Sequence, residues 1–510
     1  MNSMTNPVPL FTGMKVTIMG LGLNGGGLES ARYLALNGAE CTITDTKDEK
    51  ALAPSIEKLQ ELSGPHPPFR FVLGRHEMDD FSKADMVVKN PGVRPDSPYL
   101  ARARRIETDI SLFLAVLNGT LGDGASPLGD TRSPVRLTAV TGSKGKSVTA
   151  SAVHWVLSKV REAHSDKDTE PFFPGKTFLG GNITVSPLSF LDELGEKDDV
   201  VLELSSWQLA DLKNRALLKP RAAILTSIMP DHQDRYTSME TYVDDKRIIY
   251  QGQDKEDATI ACADDRWGMS FLTETPGRPL PYSTVPDTKT VLVPGTHAWL
   301  DPESGVGMVS CADGIVEAVP PILLVPGLHN KKNCLAAALA LIDLGVPVLQ
   351  IRENLGTFPG IEHRLEFFRD INGIRFYNDT AATIPEAAAA AVEAFKANTF
   401  LILVAGGNDK NLDFTPLLKS AETAGELILL SGTGSEKLIP LLKRAEISFH
   451  GPFDKIENAA LKALELGKRA QKYSNTRIVV ILSPGCTGFG MFKNEFDRGR
   501  QWKKAVISLV

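Results

Sequence analysis

Three observations predict an α/β protein built as three domains in series. Short apolar runs alternate with helix-like runs along most of the 510 residues, the pattern of parallel strands joined by covering helices. Two glycine-rich turns, near 20–25 and 142–147, each follow an apolar strand and open a helix. The alternation is interrupted at LNGTLGDGASPLGDTRSP (117–134) and resumes afresh after LGTFPGIEHRLE, near 360. The expected domains are 1–115, 116–358 and 359–510, since a chain of this length exceeds what one core supports.

In the first block KVTIM, ECTITD and ADMVVKN read as buried strands, and GLESARYLALNG as a helix stopped by Gly38. VTIMGLGLNGGG contains Gly20-x-Gly22-x-x-Gly25, with Asp45 twenty residues beyond Gly25. This is the fingerprint of a Rossmann-like dinucleotide turn, in which a diphosphate rests on a helix N-terminus. The turn alone leaves two ligands open, a nicotinamide dinucleotide and another nucleoside diphosphate.

In the second block VRLTAVT, DVVLELSS and RAAILTSI are strands, 161–176 is a polar loop and 258–325 is strand-rich. TAVTGSKGKSVTASAVHWVL is the strongest local signal. Its strand enters Gly142-Ser143-Lys144-Gly145-Lys146-Ser147 and then a helix, a shortened relative of the P-loop with Val140 where the full pattern has glycine. Backbone N–H groups in such a turn converge on phosphate, Lys146 neutralises it, and the Ser147 hydroxyl suits Mg²⁺. This predicts a central P-loop-type ATPase domain. The third block, with strands IRFYND, TFLILVAGG, ELILLSG and RIVVILSP and the Ala-rich helix PEAAAAAVEAFKA, reads as a second Rossmann-like domain.

Composition narrows the function. The formal charge of −6 argues against a partner bound through phosphate-backbone neutralisation, so no nucleic acid is expected. Five scattered cysteines without C-x-x-C spacing argue against a disulfide framework or a zinc site. No signal peptide and no bilayer-spanning apolar run are read, so a cytoplasmic monomer without a membrane partner is expected.

The motifs occur in an order that resembles the Mur ligases, the amino-acid-adding enzymes of peptidoglycan synthesis. After TGSKGKS come GGNI (180–183), LELSSWQL (202–209), DHQDRY (231–236), Lys246, GLHNKKN (327–333), EHRLE (362–366), NDTAAT (378–383), AGGNDK (405–410) and SPGCTGFGMFKN (483–494). LELSSxQL and DHxDRY are most like the D-glutamate-adding members. The resemblance implies ATP-dependent addition of D-glutamate to UDP-N-acetylmuramoyl-L-alanine through an acyl phosphate. It assigns the first turn to the UDP moiety rather than to NAD, with Gly22, Leu23 and Asn24 at the diphosphate, Asp45 and Thr46 at the uridine, and Asn90, Pro91 and Gly92 as a second loop. Asn182, Ser205 and Gln208 are implied contacts of the muramoyl substrate.

The implied cofactors are ATP, two Mg²⁺ ions and CO₂ held as a lysine carbamate. The resemblance makes Lys146, Glu203, His232 and Lys246 the catalytic set, and Ser147, Glu203, His232 and carbamylated Lys246 the metal ligands. On its own Lys246, in the probable helix ETYVDDKRIIYQ, reads as a surface lysine. Asn330 and Asn333 are implied at the adenine, Arg364 at the γ-phosphate and Asp379 at the ribose. His363, Thr383, Lys410, Thr487, Gly488 and Phe489 are implied at the incoming amino acid. Two positions depart from the family pattern: Ala381 stands where those ligases carry lysine, and Gly488 where they carry serine. A Mur-type or folylpolyglutamate-like ligase adding another amino acid is therefore the alternative.

Overall fold

The computed structural model describes residues 10–23, 25–120, 135–163, 174–183, 185–231, 236–284, 295–312, 314–396 and 398–509. Asn24 and His232 fall outside these residues, as do Asp234 and Arg235 of the same loop and the greater part of 117–134 and 161–176. The fold is α/β, with three sheets among the described residues. The chain divides into two compact units, 1–319 with 332–351, and 320–331 with 352–510.

The first unit contains two of the sheets. In the first, β1 (Lys15–Met19), β2 (Glu40–Asp45), β3 (Arg70–Leu73), β4 (Met86–Lys89) and β5 (Ile106–Glu107) lie in the order β3-β2-β1-β4-β5, all parallel. The second is larger: β6 (Arg136–Thr141), β7 (Thr177–Gly181), β8 (Asp199–Glu203), β9 (Ala222–Leu225), β10 (Ala258–Cys262), β11 (Arg278–Ser283), β12 (His297–Leu300), β13 (Gly307–Cys311) and β14 (Gly314–Val319). Their order is β14-β13-β12-β11-β10-β9-β6-β8-β7, parallel from β7 to β12 and antiparallel beyond. One apolar core runs through both sheets and joins Ile18, Ile43 and Val88 to Leu202 and Leu225.

The second unit contains β15 (Glu366–Ile371), β16 (Ile374–Asn378), β17 (Thr399–Gly406), β18 (Glu426–Leu430), β19 (His450–Phe453) and β20 (Arg477–Leu482), ordered β15-β16-β20-β17-β18-β19. Among the described residues only the β15–β16 hairpin of this sheet is antiparallel. Its strands read as unbroken apolar runs because both faces are covered. Ile374, Ile402 and Val480 pack with Trp502 on one face, and Tyr377, Leu403 and Val479 lie in the cluster on the other.

The strand orders position the functional loops. In an open parallel sheet a crevice forms outside the carboxyl ends where the strand order reverses. β1, β6 and β20 each sit at such a point, flanked by β2 and β4, by β8 and β9, and by β16 and β17. The two glycine-rich turns, LELSSWQL, NDTAAT, AGGNDK and SPGCTGFGMFKN each leave the carboxyl end of one of these nine strands, after β1, β6, β8, β16, β17 and β20.

Candidate active site

β6 delivers the phosphate loop. Gly142 has φ +143° and an added Cβ would lie 1.9 Å from Thr226 Oγ1; Gly145 has φ +91° and its Cβ would lie 2.3 Å from Asn333 Oδ1. Both positions demand glycine on conformation and on space. Thr226 Oγ1 donates to the Lys144 carbonyl at 2.7 Å, and Ser143 N donates to Ser227 O at 2.8 Å, so the segment leaving the end of β9 braces the turn. Gly145 then caps the helix Lys146–Glu162, which puts Lys146 and Ser147 in its first turn.

Two lysines meet at this turn. Lys146 Nζ donates to the carbonyls of Gly142 (3.1 Å) and Ser143 (3.0 Å), and Lys246 Nζ donates to the same Gly142 carbonyl at 2.9 Å. Lys246 lies in the helix Met239–Gln251 and is 1% exposed, with its ammonium end 4.5 Å from the Tyr242 ring. The surface-lysine expectation fails because Lys246 shares the helix's buried stripe with Tyr242, Val243, Ile249 and Tyr250, three and four residues to either side. Burial, then the neighbouring Lys146 charge, bring its amine down to about 7 against the weaker opposition of Asp231 and Asp245.

Glu203 ends β8 beside the loop and is 1% exposed. Asn182 Nδ2 donates to its Oε1 at 3.0 Å, while Oε2 is buried with no hydrogen-bond partner among the described residues. An unpartnered buried carboxylate oxygen is costly, and a bound cation removes that cost. Ser205 and Gln208 are differently engaged. Ser205 Oγ accepts from Gln208 N and the Gln208 side chain accepts from Ser205 N, a capping box on the short helix Ser206–Ala210. Ser205 Oγ and Gln208 Oε1 are committed to that cap.

The first sheet forms a cavity of about 450 Å³ from Gly20, Gly22, Leu23, Asp45, Asn90 and their neighbours Thr46, Lys47, His76, Gly92 and Val93. Asp45 holds the turn, its carboxylate accepting from Gly22 N (3.1 Å) and Lys47 N (2.9 Å). Gly92 N donates to Asn90 Oδ1 at 3.2 Å. Gly27, two residues past the last glycine of the fingerprint, lets the helix close on the turn: a Cβ there would lie 2.2 Å from Gly20 O. Pro91 is not among the lining residues. Lys47 and His76 line the cavity without having been singled out; neither carries a motif.

In the second unit the loops from β16, β20 and β17 gather. Asp379 accepts from Leu365 N (3.1 Å) and Ser483 Oγ (2.6 Å), and burial pushes its carboxyl up to about 6. His363 and Leu365 adopt φ of +70° and +44°, so the EHRLE segment is a tight turn, with Arg364 exposed on it. His363 is buried, its Nδ1 2.9 Å from Asn378 Nδ2. Glu362, His363 and Glu366 bring ligand atoms within 4.8 Å of one another, but Lys503 pairs with both carboxylates and fills the cluster with a protein cation. Thr383 is half-buried, whereas Lys410 and Phe489 are exposed.

Thr487 N donates to Asn408 O at 3.1 Å, tying the β20 and β17 loops. The Gly488 departure has a steric cause: a Cβ there would lie 2.7 Å from the Asn494 carbonyl carbon and the Glu495 nitrogen. Backbone at the start of the helix Glu495–Ile507 occupies the space that a serine side chain needs. Arg498 of that helix, 1% exposed, donates to Thr380 Oγ1, Thr380 O and Cys486 O, each at 3.0 Å. It links the loops after β16 and β20, and FDRGRQW offers no pattern that separates it from a surface arginine. Asn330 Nδ2 donates to Pro326 O at 2.6 Å, within the second unit, while Asn333 abuts Gly145 in the first.

Residues 140–341 match the family model described as Mur ligase middle domain, and residues 14–111 that of the Mur ligase MurD-like N-terminal domain. The chain is 37% identical to the UDP-N-acetylmuramoylalanine–D-glutamate ligase of Treponema pallidum (strain Nichols), over 98% of both chains. It is 37% identical to that of Borreliella afzelii (strain PKo), over 96% of this chain and 97% of the relative. With that of Roseiflexus sp. (strain RS-1) the identity is 36%, over 98% and 99%. Two solved structures share the fold. The UDP-N-acetylmuramate–alanine ligase MurC of Thermotoga maritima has a TM-score of 0.51 at 20% identity, covering 97% of this chain and 99% of that one. MurF of Acinetobacter baumannii has a TM-score of 0.53 at 13% identity, covering 97% and 94%. Similarity at this level over nearly the whole length makes the chain a member of the Mur ligase family.

Proposed function

We propose that the protein catalyses the ATP-dependent addition of D-glutamate to UDP-N-acetylmuramoyl-L-alanine, a cytoplasmic step of peptidoglycan precursor synthesis. The near-full-length identity to relatives named for that reaction carries the reading. The phosphate loop supports its chemistry. A substrate carboxylate attacks the ATP γ-phosphate and gives an acyl phosphate, the amine of the incoming amino acid attacks the acyl carbon, and phosphate leaves. No enzyme nucleophile is required; the protein positions the reactants and offsets charge.

Lys146, fixed by two backbone carbonyls, carries the positive charge for the transferred phosphoryl group. Lys246 has the opposite task. An ammonium so close to Lys146 and so buried is disfavoured, and a neutral amine is what captures CO₂ to become an anionic carbamate. Glu203, Ser147 and the carbamate would hold Mg²⁺, with His232 as a further ligand. The orphaned Glu203 Oε2 fits that role. Bound there, the ions would lessen the repulsion between carboxylate and phosphate. The cavity of the first sheet takes the UDP moiety on Gly22, Leu23, Asp45, Thr46 and Asn90. In the second unit Arg364 and Asp379 serve ATP, while His363, Thr383, Lys410 and Thr487 serve the amino acid.

The test is phosphate release from ATP with UDP-N-acetylmuramoyl-L-alanine, screened across D- and L-amino acids. The reading expects release with D-glutamate above all others. Preferential release with a different amino acid would overturn the assignment of the acceptor, and ATP binding without amino-acid-dependent release would overturn the ligase.

A further inference from the structure

His76 lines the first-sheet cavity, and the functional reading above gives it no task. Its ring is held by three neighbours. Thr44 Oγ1, one residue before Asp45 on β2, lies 2.7 Å from His76 Nδ1. Phe81 and Tyr99 meet the ring edge-to-face, with centroids 5.8 and 5.1 Å away at 88° and 69°. The hydrogen-bond count then assigns the tautomer. Thr44 Oγ1 has one proton and also lies 3.1 Å from the Arg75 carbonyl, which can only accept. Both contacts are made only if the threonine donates to Arg75 O and His76 Nδ1–H donates to the threonine. Burial, its largest influence, lowers the His76 pKa, and the smaller pull of Asp45 in the other direction does not reverse it. The ring is therefore neutral at pH 7, and Nε2 keeps its lone pair with no protein partner among the described residues.

We propose that His76 Nε2 is the acceptor that reads the nucleobase in this cavity, selecting an imide N3–H as uracil presents and rejecting the bare N3 of cytosine. Thr44 acts as the positioning residue that holds the tautomer. The proposal rests on the reading of this cavity as the uridine site and deepens it. The complementarity is chemical: a fixed lone pair pairs with a donor and repels another lone pair. Asp45 shares the cavity and braces its turn, accepting from Gly22 N and Lys47 N, and Asn90 Oδ1 accepts from Gly92 N, so His76 Nε2 is the acceptor there that no such backbone contact engages. A site built to hydrogen-bond one group discriminates strongly against the analogue that leaves a buried partner unpaired.

Four ligands test it by calorimetry on the full-length protein: UDP, N3-methyl-UDP, CDP and 2′-deoxy-UDP. The wild-type protein is expected to favour UDP over both N3-methyl-UDP and CDP by about 10-fold, the effect of one unpaired buried group. In His76→Phe that preference falls to about two-fold or less, and Thr44→Val lowers it partway by freeing the tautomer. The 2′-deoxy penalty, if any, is the same in all three proteins, because the ribose does not meet this nitrogen. Retention of the full N3 preference in a folded His76→Phe protein overturns the proposal, as does loss of the 2′-deoxy penalty in place of the N3 preference. Failure of wild-type protein to bind any uridine nucleotide would overturn the functional reading and this assignment together, an outcome distinct from binding without N3 discrimination.

Discussion

The phosphate loop of the first unit and the loops around β20 in the second are both built at the carboxyl ends of three adjacent strands, yet they are constructed differently. Around β6 Glu203 and Lys246 are buried and the lysines are tied to backbone: Lys146 and Lys246 share the Gly142 carbonyl, and glycines 142 and 145 sit where no side chain fits. Around β20 the loops are braced by an internal residue, Arg498, while Lys410 and Phe489 stay exposed. The first arrangement fixes one chemistry. The second departs from the family pattern at Ala381 and Gly488, and at Gly488 the backbone of the following helix leaves no room for a side chain.

This contrast can be broken at several points. The largest effect belongs to Lys246. Lys246→Met removes the amine while keeping the apolar stem, and kcat in the phosphate-release assay should fall about 10²–10³-fold or more, the loss typical when a charge-stabilising group is removed. Its pH dependence has a defined sign. With the amine near 7, protonation below pH 7 blocks carbamate formation, so activity at limiting CO₂ falls toward acid and is recovered by raising pH or bicarbonate.

Gly142→Ala comes next. The new Cβ meets Thr226 Oγ1 in a left-handed conformation, so thermal unfolding should show a destabilisation of ~1–3 kcal/mol with a raised KM for ATP. In the second unit Gly488→Ser, which installs the residue usual in the family, should also destabilise by about 1–3 kcal/mol and raise the KM for D-glutamate, because the helix backbone already fills that space. A gain in D-glutamate affinity would show that these loops yield where the phosphate loop does not. The smallest effect is expected at Lys410→Ala: stability within about 0.5 kcal/mol, as for an exposed position, with the change confined to the KM for D-glutamate.

The same contrast explains what the residues alone revealed. Strands KVTIM and ECTITD are found over Lys15–Met19 and Glu40–Asp45, because short β-rich runs between turn residues have few other options. The phosphate loop was legible because backbone geometry demands particular residues at fixed spacing. Burial of Lys246 was half-legible: Tyr242, Val243, Ile249 and Tyr250 lie three and four residues to either side and put it on the buried stripe of its helix, but a lysine is read by residue type as solvent-facing. His76 and Arg498 were invisible for a different reason. Each works through partners distant in sequence, Arg498 through Thr380, 118 residues away, and no local pattern encodes such a pairing.

The central claim is that a buried, neutral Lys246 beside Lys146 takes up CO₂. Carbon-13 NMR of the protein in ¹³C-bicarbonate with Mg²⁺ tests it most directly. The account predicts a protein-bound carbamate resonance that grows as pH rises through about 7 and is missing from the folded Lys246→Met protein. A fully active wild-type enzyme without that resonance, or the same resonance in Lys246→Met, would contradict it.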